Sequence, residues 1–175
     1  MDEFLKIASQ ELGVEFKECD YEDIYGKIKH DDTFCMEIIP PHETIHLVKH
    51  RKLLFLVRYH RTDRLIHFQS KYFGNSTKVK LANHFYPHFK LRLKERYGLD
   101  ISIDEYLQLE DDLRHGKGVR VDMDSHSSTF ACCLRQHVIK VVRRCKSKEL
   151  VTCIDGYISD IDRKKVKKNY EQPNH

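Results

Sequence analysis

Slid against itself by 85 positions, the sequence pairs Phe4 with Phe89, Gly13 with Gly98, Tyr21 with Tyr106, His30 with His115 and Thr44 with Thr129. The same offset pairs Val57-Arg58 with Val142-Arg143, Leu65 with Leu150 and Tyr72 with Tyr157. An internal repeat constrains the fold more than any local signal, because each copy must be one structural unit. The apolar pattern follows the same offset: Leu12/Tyr97, Val14/Leu99, Phe16/Ile101, Ile24/Leu109, Ile28/Leu113, Leu54/Ile139, Leu56/Val141 and Phe68/Cys153 are all matched. Shared core positions produce such a register. The chain therefore reads as a tandem duplication, with a first, diverged module over residues 1–86 and a second over 87–175.

Charge repeats with the same period. Residues 1–43 carry four Lys against twelve acids, and residues 44–96 carry thirteen Lys and Arg against two. Residues 97–134 are acidic again, three against eight, and 135–175 basic, eleven against five. The net charge of +4 hides this alternation.

Within each module two helices precede a run of strands. Phe4, Ile7, Ala8 and Leu12 have helical spacing and Gly13 stands where a left-handed cap belongs. Phe89, Leu93 and Tyr97 repeat this before Gly98, with Pro87 suited to a first helical turn. Ser102-Ile103-Asp104-Glu105 reads as a capping box, followed by the stripe Tyr106, Leu109 and Leu113; residues 20–30 are its counterpart. Strands follow at Phe34–Ile39, Thr44–Lys49, Leu53–Tyr59 and Arg64–Gln69, then at Val119–Asp124, Thr129–Leu134, Val138–Arg144 and Glu149–Ile154. Short polar links favour an antiparallel meander. Basic helices over 77–86 and 162–171 close the two modules. The fold class is α+β: two helices, a four-stranded antiparallel meander and a terminal helix, twice.

No apolar run reaches membrane-spanning length, and Met1-Asp2-Glu3-Phe4-Leu5 lacks the charged-then-apolar order of a signal peptide. The six cysteines form no C-x-x-C pair, which suits buried thiols in a reducing cytoplasmic setting. No membrane partner, cofactor or metal is expected: His84 and His88 are four apart but interrupted by Pro87, without a metalloprotease glutamate. Alternation could align His46 with His60 or His67 across strands.

Two clusters could carry chemistry. His88, Arg92 and Arg96 are spaced by four, so they share one helix face, with Glu95 alongside; two guanidiniums can grip phosphate and a histidine can move a proton. The alternative is a solvated basic face. The first module has Glu3, Ile7 and Glu11 at the matching places. The second cluster is basic hairpins: Arg58, His60, Arg61 and Arg64 in the first module, Arg143, Arg144 and Lys146 in the second. With Tyr59, Tyr72 and Tyr157 nearby, this suits backbone contact and base stacking on nucleic acid. The alternative there is an edge kept soluble by charge. Lys164 and Lys165, in a basic run near the C-terminus, are further nucleic-acid candidates.

The form H-x-x-x-R-x-x-E-R from His88, a second acidic helix, and a meander ending in Leu150-Val151-Thr152-Cys153-Ile154 resembles the small RelE/BrnT-like ribonuclease toxins of the barnase–EndoU–RelE fold group. The resemblance covers residues 88–155. It implies metal-independent RNA cleavage through attack of a 2′-hydroxyl on the adjacent phosphate. It also implies His88 as acid or base, Arg92 or Arg143 as phosphate ligand and Thr152 as a polar site group. Three readings stand: a pseudo-symmetric module binding RNA or a protein partner, a toxin-like endoribonuclease with its site in the second module, and an inhibitor or antitoxin-type protein using the acidic helices of 1–43 and 97–112.

Overall fold

A computed structural model of the chain describes residues 1–62, 65–74, 78, 79, 82 and 84–171. It divides into two compact units, Met1–Ser76 and Thr77–His175. The first contains α1 (Asp2–Leu12), α2 (Glu18–Lys29), β1 (Phe34–Ile39), β2 (Glu43–His50), β3 (Leu53–His60) and β4 (Leu65–Lys71). The second contains α3 (Tyr86–Tyr97), α4 (Ile103–Arg114), β5 (Val119–Met123), β6 (Ser127–Leu134), β7 (His137–Arg144), β8 (Leu150–Ile154) and α5 (Asp160–Glu171). Each sheet is an antiparallel meander of four strands in chain order. No helix among the described residues is long and apolar enough to cross a membrane.

In the first unit α1 buries Phe4, Ala8 and Leu12, one residue per turn, and stops where Gly13 turns left-handed at φ 67°. The chain re-enters through Phe16, whose N–H is bonded to Ser9 Oγ at 2.9 Å. Helix α2 begins with Asp20 accepting from the Lys17 N–H at 2.8 Å, a bond that satisfies a donor the helix leaves orphaned. Tyr21, Ile24 and Ile28 then face Val48, Phe55, Val57 and Ile66 on one side of the sheet. Truncating a ring such as Phe55, fully buried here, costs about 3–5 kcal/mol in comparable cores.

The second unit repeats this plan. Gly98 ends α3 at φ 65°. Ser102 and Glu105 close the capping box of α4, which buries Tyr106, Leu109 and Leu113. The strand residues Cys132, Ile139, Val141 and Cys153 are fully buried. Ala131, one position along from Cys132, points to the opposite face, where it meets Ile158 and Val166, with Val119, Val121, Cys133, Val138 and Tyr170 around them. Helix α5 thus covers the second face of its sheet. The helix expected over 77–86 differs. Lys78 and Val79 are helical, positions 77, 80, 81 and 83 lie outside the described residues, and His84-Phe85 is a turn before α3 begins at Tyr86. The Ala82 N–H donates to the Lys78 and Val79 carbonyls, each at 3.2 Å, and Pro87 falls in the first turn of α3, where its missing N–H costs nothing.

Strand registry amends the gapless offset. Five residues separate the paired Ile38 and Thr44, but only four separate Met123 and Ser128. From there the two units match at 84: β2 and β6 have eight residues each, as do β3 and β7, and two-residue turns join them. Arg51 therefore corresponds to Arg135, not His50 to Arg135. Arg58, sixth in β3, corresponds to Val142, while Arg143, seventh in β7, corresponds to Tyr59. Arg58 and Arg143 thus stand on opposite faces of their hairpins and are not a shared pair.

Arg51 and Arg135 do the same thing. Both open the hairpin turn with a left-handed backbone, φ 48° and 55°. Arg51 meets Asp20 at 2.7 Å and donates to the Glu15 carbonyl at 3.2 Å. Arg135 meets Glu105 at 2.8 Å and donates to the Asp100 carbonyl at 3.1 Å. Asp20 and Glu105 are each the third residue of their helix. Burial works to raise the Asp20 pKa, but the Lys17 N–H, His50 and Arg51 together hold it below the ordinary value. The Arg135 guanidinium, with help from Ser102, holds the Glu105 carboxyl down at about 2. We expect Arg51→Ala and Arg135→Ala each to lower stability in urea unfolding, the first by about 1 kcal/mol. Adding Glu105→Gln to Arg135→Ala should bring little further loss; losses that add in full would show the pair does not interact.

His46, 8% exposed on β2, is bonded at Nδ1 by Thr33 Oγ1 and at Nε2 by Thr44 Oγ1, each at 2.8 Å. Burial pushes its pKa down to about 4, Arg61 acting in the same sense and Asp31 against it. The unfolded chain therefore takes up the proton first. This contribution is complete above about pH 6.5 and is lost as pH falls toward 4, a change on the order of 3 kcal/mol. His46→Gln, which keeps a donor and an acceptor, should flatten urea stability between those pH values; an unchanged acid slope would contradict this.

Candidate nucleic-acid interface

Helix α3 lies against β8, anchored through its C-terminal turn. The Tyr97 hydroxyl donates to the Ile154 carbonyl at 2.7 Å and accepts from the Lys140 N–H at 3.0 Å, locking helix to strand. Arg96 donates to the Cys153 carbonyl and lies 3.7 Å from the Asp155 carboxylate. The Thr152 hydroxyl donates to that same Cys153 carbonyl at 3.2 Å. Arg92, one turn earlier, meets Glu95 at 2.7 Å. His88 lies one turn earlier again. Burial, then the charges of Arg92 and Arg96, push its pKa below the ordinary value, with Glu95 opposing. Its ring is thus neutral at physiological pH, able both to donate and to accept. The neighbouring Cys153 thiol is pushed up to about 11 by burial, so it is no nucleophile near neutrality.

The row does not end at His88. The guanidinium of Arg144, the last residue of β7, stacks over the Phe85 ring at 4.7 Å from its centre. Phe85 caps α3 and its carbonyl accepts from the Phe89 N–H at 2.8 Å. Two clusters distant in sequence therefore join into one line: Arg144, Phe85, His88, Arg92 and Arg96. At 1.5 Å per residue the helical part from 85 to 96 is about 16 Å long.

The other sequence candidates are distributed as follows. Arg143 does not join this line: it donates to the Lys148 carbonyl at 2.7 Å, and its charged neighbours are Glu110 and Arg114 of α4. Lys146 is exposed in the β7–β8 turn, and Lys164 and Lys165 are exposed on α5, without an ion pair to any described residue. In the first unit Arg58 is paired with Glu43 at 3.1 Å. His60 is bonded to Thr62 at 3.0 Å, with its ring beside His42; Arg61 is exposed, and Arg64 lies outside the described residues. His46 does not align with His60: its strand partner is Val57, and His60 faces Glu43. Among the described residues no group of three or more His, Cys, Asp or Glu could hold a metal.

Sequence reasoning passed over Phe85, whose only signal was an aromatic just before a helix-opening Tyr-Pro step. It also passed over the role of Arg51 and Arg135, hidden by an offset wrong by one in that hairpin. Comparison of the chain with protein-family models, with curated proteins and with solved structures found no match.

Proposed function

We propose that this protein is an RNA-binding module made of two diverged copies of one helix–helix–meander unit, and that the second copy supplies the RNA contact. The duplication is supported by the arginine clamp, which recurs at equivalent positions with the same two kinds of partner, a carboxylate in the first turn of the second helix and a carbonyl of the link before it. The single observation behind the RNA reading is the stacking of Arg144 on Phe85, which extends the α3 row into one cationic and aromatic line. Phosphates suit the guanidiniums, and an aromatic or guanidinium plane suits an unstacked base. The neutral His88 and the Thr152 hydroxyl suit the hydroxyls of ribose. Charge agrees with the assignment: the second unit has twenty Lys and Arg against fourteen acids, net +6, and the first eleven against thirteen, net −2. Where the second unit has His88, Arg92 and Arg96, the first has Glu3, Ile7 and Glu11.

A ribonuclease reading draws on the same residues. The observation favouring it is a neutral His88 between guanidiniums, placed to take a proton from a 2′-hydroxyl. That reaction also needs a proton for the departing 5′-oxygen, and the other members of the line are a phenylalanine and arginines that stay charged. Binding therefore accounts for the line more fully than cleavage does.

In fluorescence anisotropy with a single-stranded RNA, affinity should fall steeply with added salt. Arg92→Ala and Arg144→Ala should each weaken binding and reduce the slope against log salt by about one. Binding that ignores salt, or none at low salt, would sink the proposal. Cleavage of the probe that His88→Ala abolishes would establish the ribonuclease reading instead.

A further inference from the structure

The corner between α4 and the end of β7 differs between the units in a way the fold does not require. Position eight of the second helix is Tyr25 in α2 and Glu110 in α4; position seven of the third strand is Tyr59 in β3 and Arg143 in β7. In the first unit the two tyrosine rings pack 6.1 Å apart. An aromatic pair therefore fills this corner with the scaffold intact, and the charged pair of the second unit is not demanded by packing.

The geometry of the charged corner is tightly held. Glu110 Oε1 accepts from the Leu150 N–H at 2.9 Å, and Leu150 is the register partner of Arg143. The Tyr106 hydroxyl donates to the Leu150 carbonyl at 2.6 Å. The Lys148 carbonyl fixes Arg143 through Nε, which leaves its terminal nitrogens for other partners. Arg114 follows Glu110 by four residues, so it rises from the same face of α4, and its contact with Asp111 is a long 3.9 Å. One carboxyl thus sits among two guanidiniums.

We propose that Arg114 and Arg143, flanking Glu110, form a receptor for a phosphomonoester, and that it takes the phosphorylated end of the RNA strand. The second half of this statement rests on the RNA reading; the first does not. A monoester carries about −1.5 to −2 charges at neutral pH and three acceptor oxygens, against one charge for an internal phosphodiester, so it matches two guanidiniums better. The state of the corner agrees. Burial raises the Glu110 pKa despite both arginines, and burial, then Arg114, lowers that of Arg143. Burial favours the neutral form of Glu110, which lessens its repulsion of an incoming anion, and a dianion would offset the mutual repulsion of the two guanidiniums. Arg143 and Arg144 are consecutive on β7, so the receptor and the end of the cationic line share one strand end.

The test uses the full chain and three probes: a single-stranded RNA with a 5′-phosphate, the same strand with a 3′-phosphate, and the strand with hydroxyls at both ends. One phosphorylated strand should bind about tenfold more tightly than the hydroxyl strand. Arg143→Gln should erase that difference and leave the hydroxyl strand's affinity as it was. Glu110→Gln should enlarge the difference, which guards against a result caused by unfolding, and melting curves of both variants check the fold. Equal affinity for all three strands would overturn the receptor while leaving RNA binding in place. If no strand binds, uridine monophosphate becomes the probe: binding lost in Arg143→Gln would uphold the receptor and defeat the RNA reading, and no binding would defeat both.

Discussion

One guanidinium at a hairpin turn ties the second helix of each unit to its sheet. Arg51 and Arg135 join three segments that hydrophobic burial alone would leave loosely oriented: the N-terminus of the second helix, the link that precedes it, and the tip of the central hairpin. Helix on sheet is a packing of ridges on a gently twisted surface, and many rotations bury similar area. A fork aimed at one carboxylate and one carbonyl selects among them. The left-handed backbone at both arginines, uncommon for a residue with a side chain, is what a two-residue hairpin turn requires.

The candidate site in the second unit is built on that orientation. With α4 set by Arg135, Tyr106 reaches the Leu150 carbonyl and Glu110 the Leu150 amide, so the start of β8 is fixed from the helix side. Helix α3 packs its Phe89 ring edge-on to Tyr106, 5.4 Å between centres, and its Arg96 and Tyr97 grip the far end of β8. The cationic line is therefore carried by a helix held at both ends. Its members are held in place by the scaffold, an arrangement that would lower the entropy lost on binding the proposed RNA. The first unit has the clamp and the core without the cations, and so shows what the scaffold needs by itself.

Much of the architecture was legible in the sequence because it rests on periodic burial. The helix boundaries at Gly13 and Gly98, the capping box at Ser102 and the eight strands all follow from local signals that tertiary packing did not override. Of the helix expected over residues 77–86, Lys78 and Val79 are helical, positions 77, 80, 81 and 83 lie outside the described residues, and the chain turns at His84-Phe85. The pairing of Arg58 with Arg143 failed on strand registry. The β1–β2 connection is one residue shorter in the second unit, so over β2 and β3 an offset of 85 pairs residues on opposite faces, and a gapless comparison cannot register that. In the candidate site, the α3 row was visible as a spacing of four. The Arg144–Phe85 stack was not, since only the folded chain brings residues 59 positions apart into contact.

The central claim is that RNA meets this protein along α3 and the end of β7, on the second unit. Mapping amide chemical-shift changes on adding a short single-stranded RNA tests it most directly. The account expects the changes to gather at residues 85–96, 143–146 and 150–155, with the first unit nearly silent. Changes centred on the hairpin of Arg58 and His60, or spread evenly over both units, would contradict it.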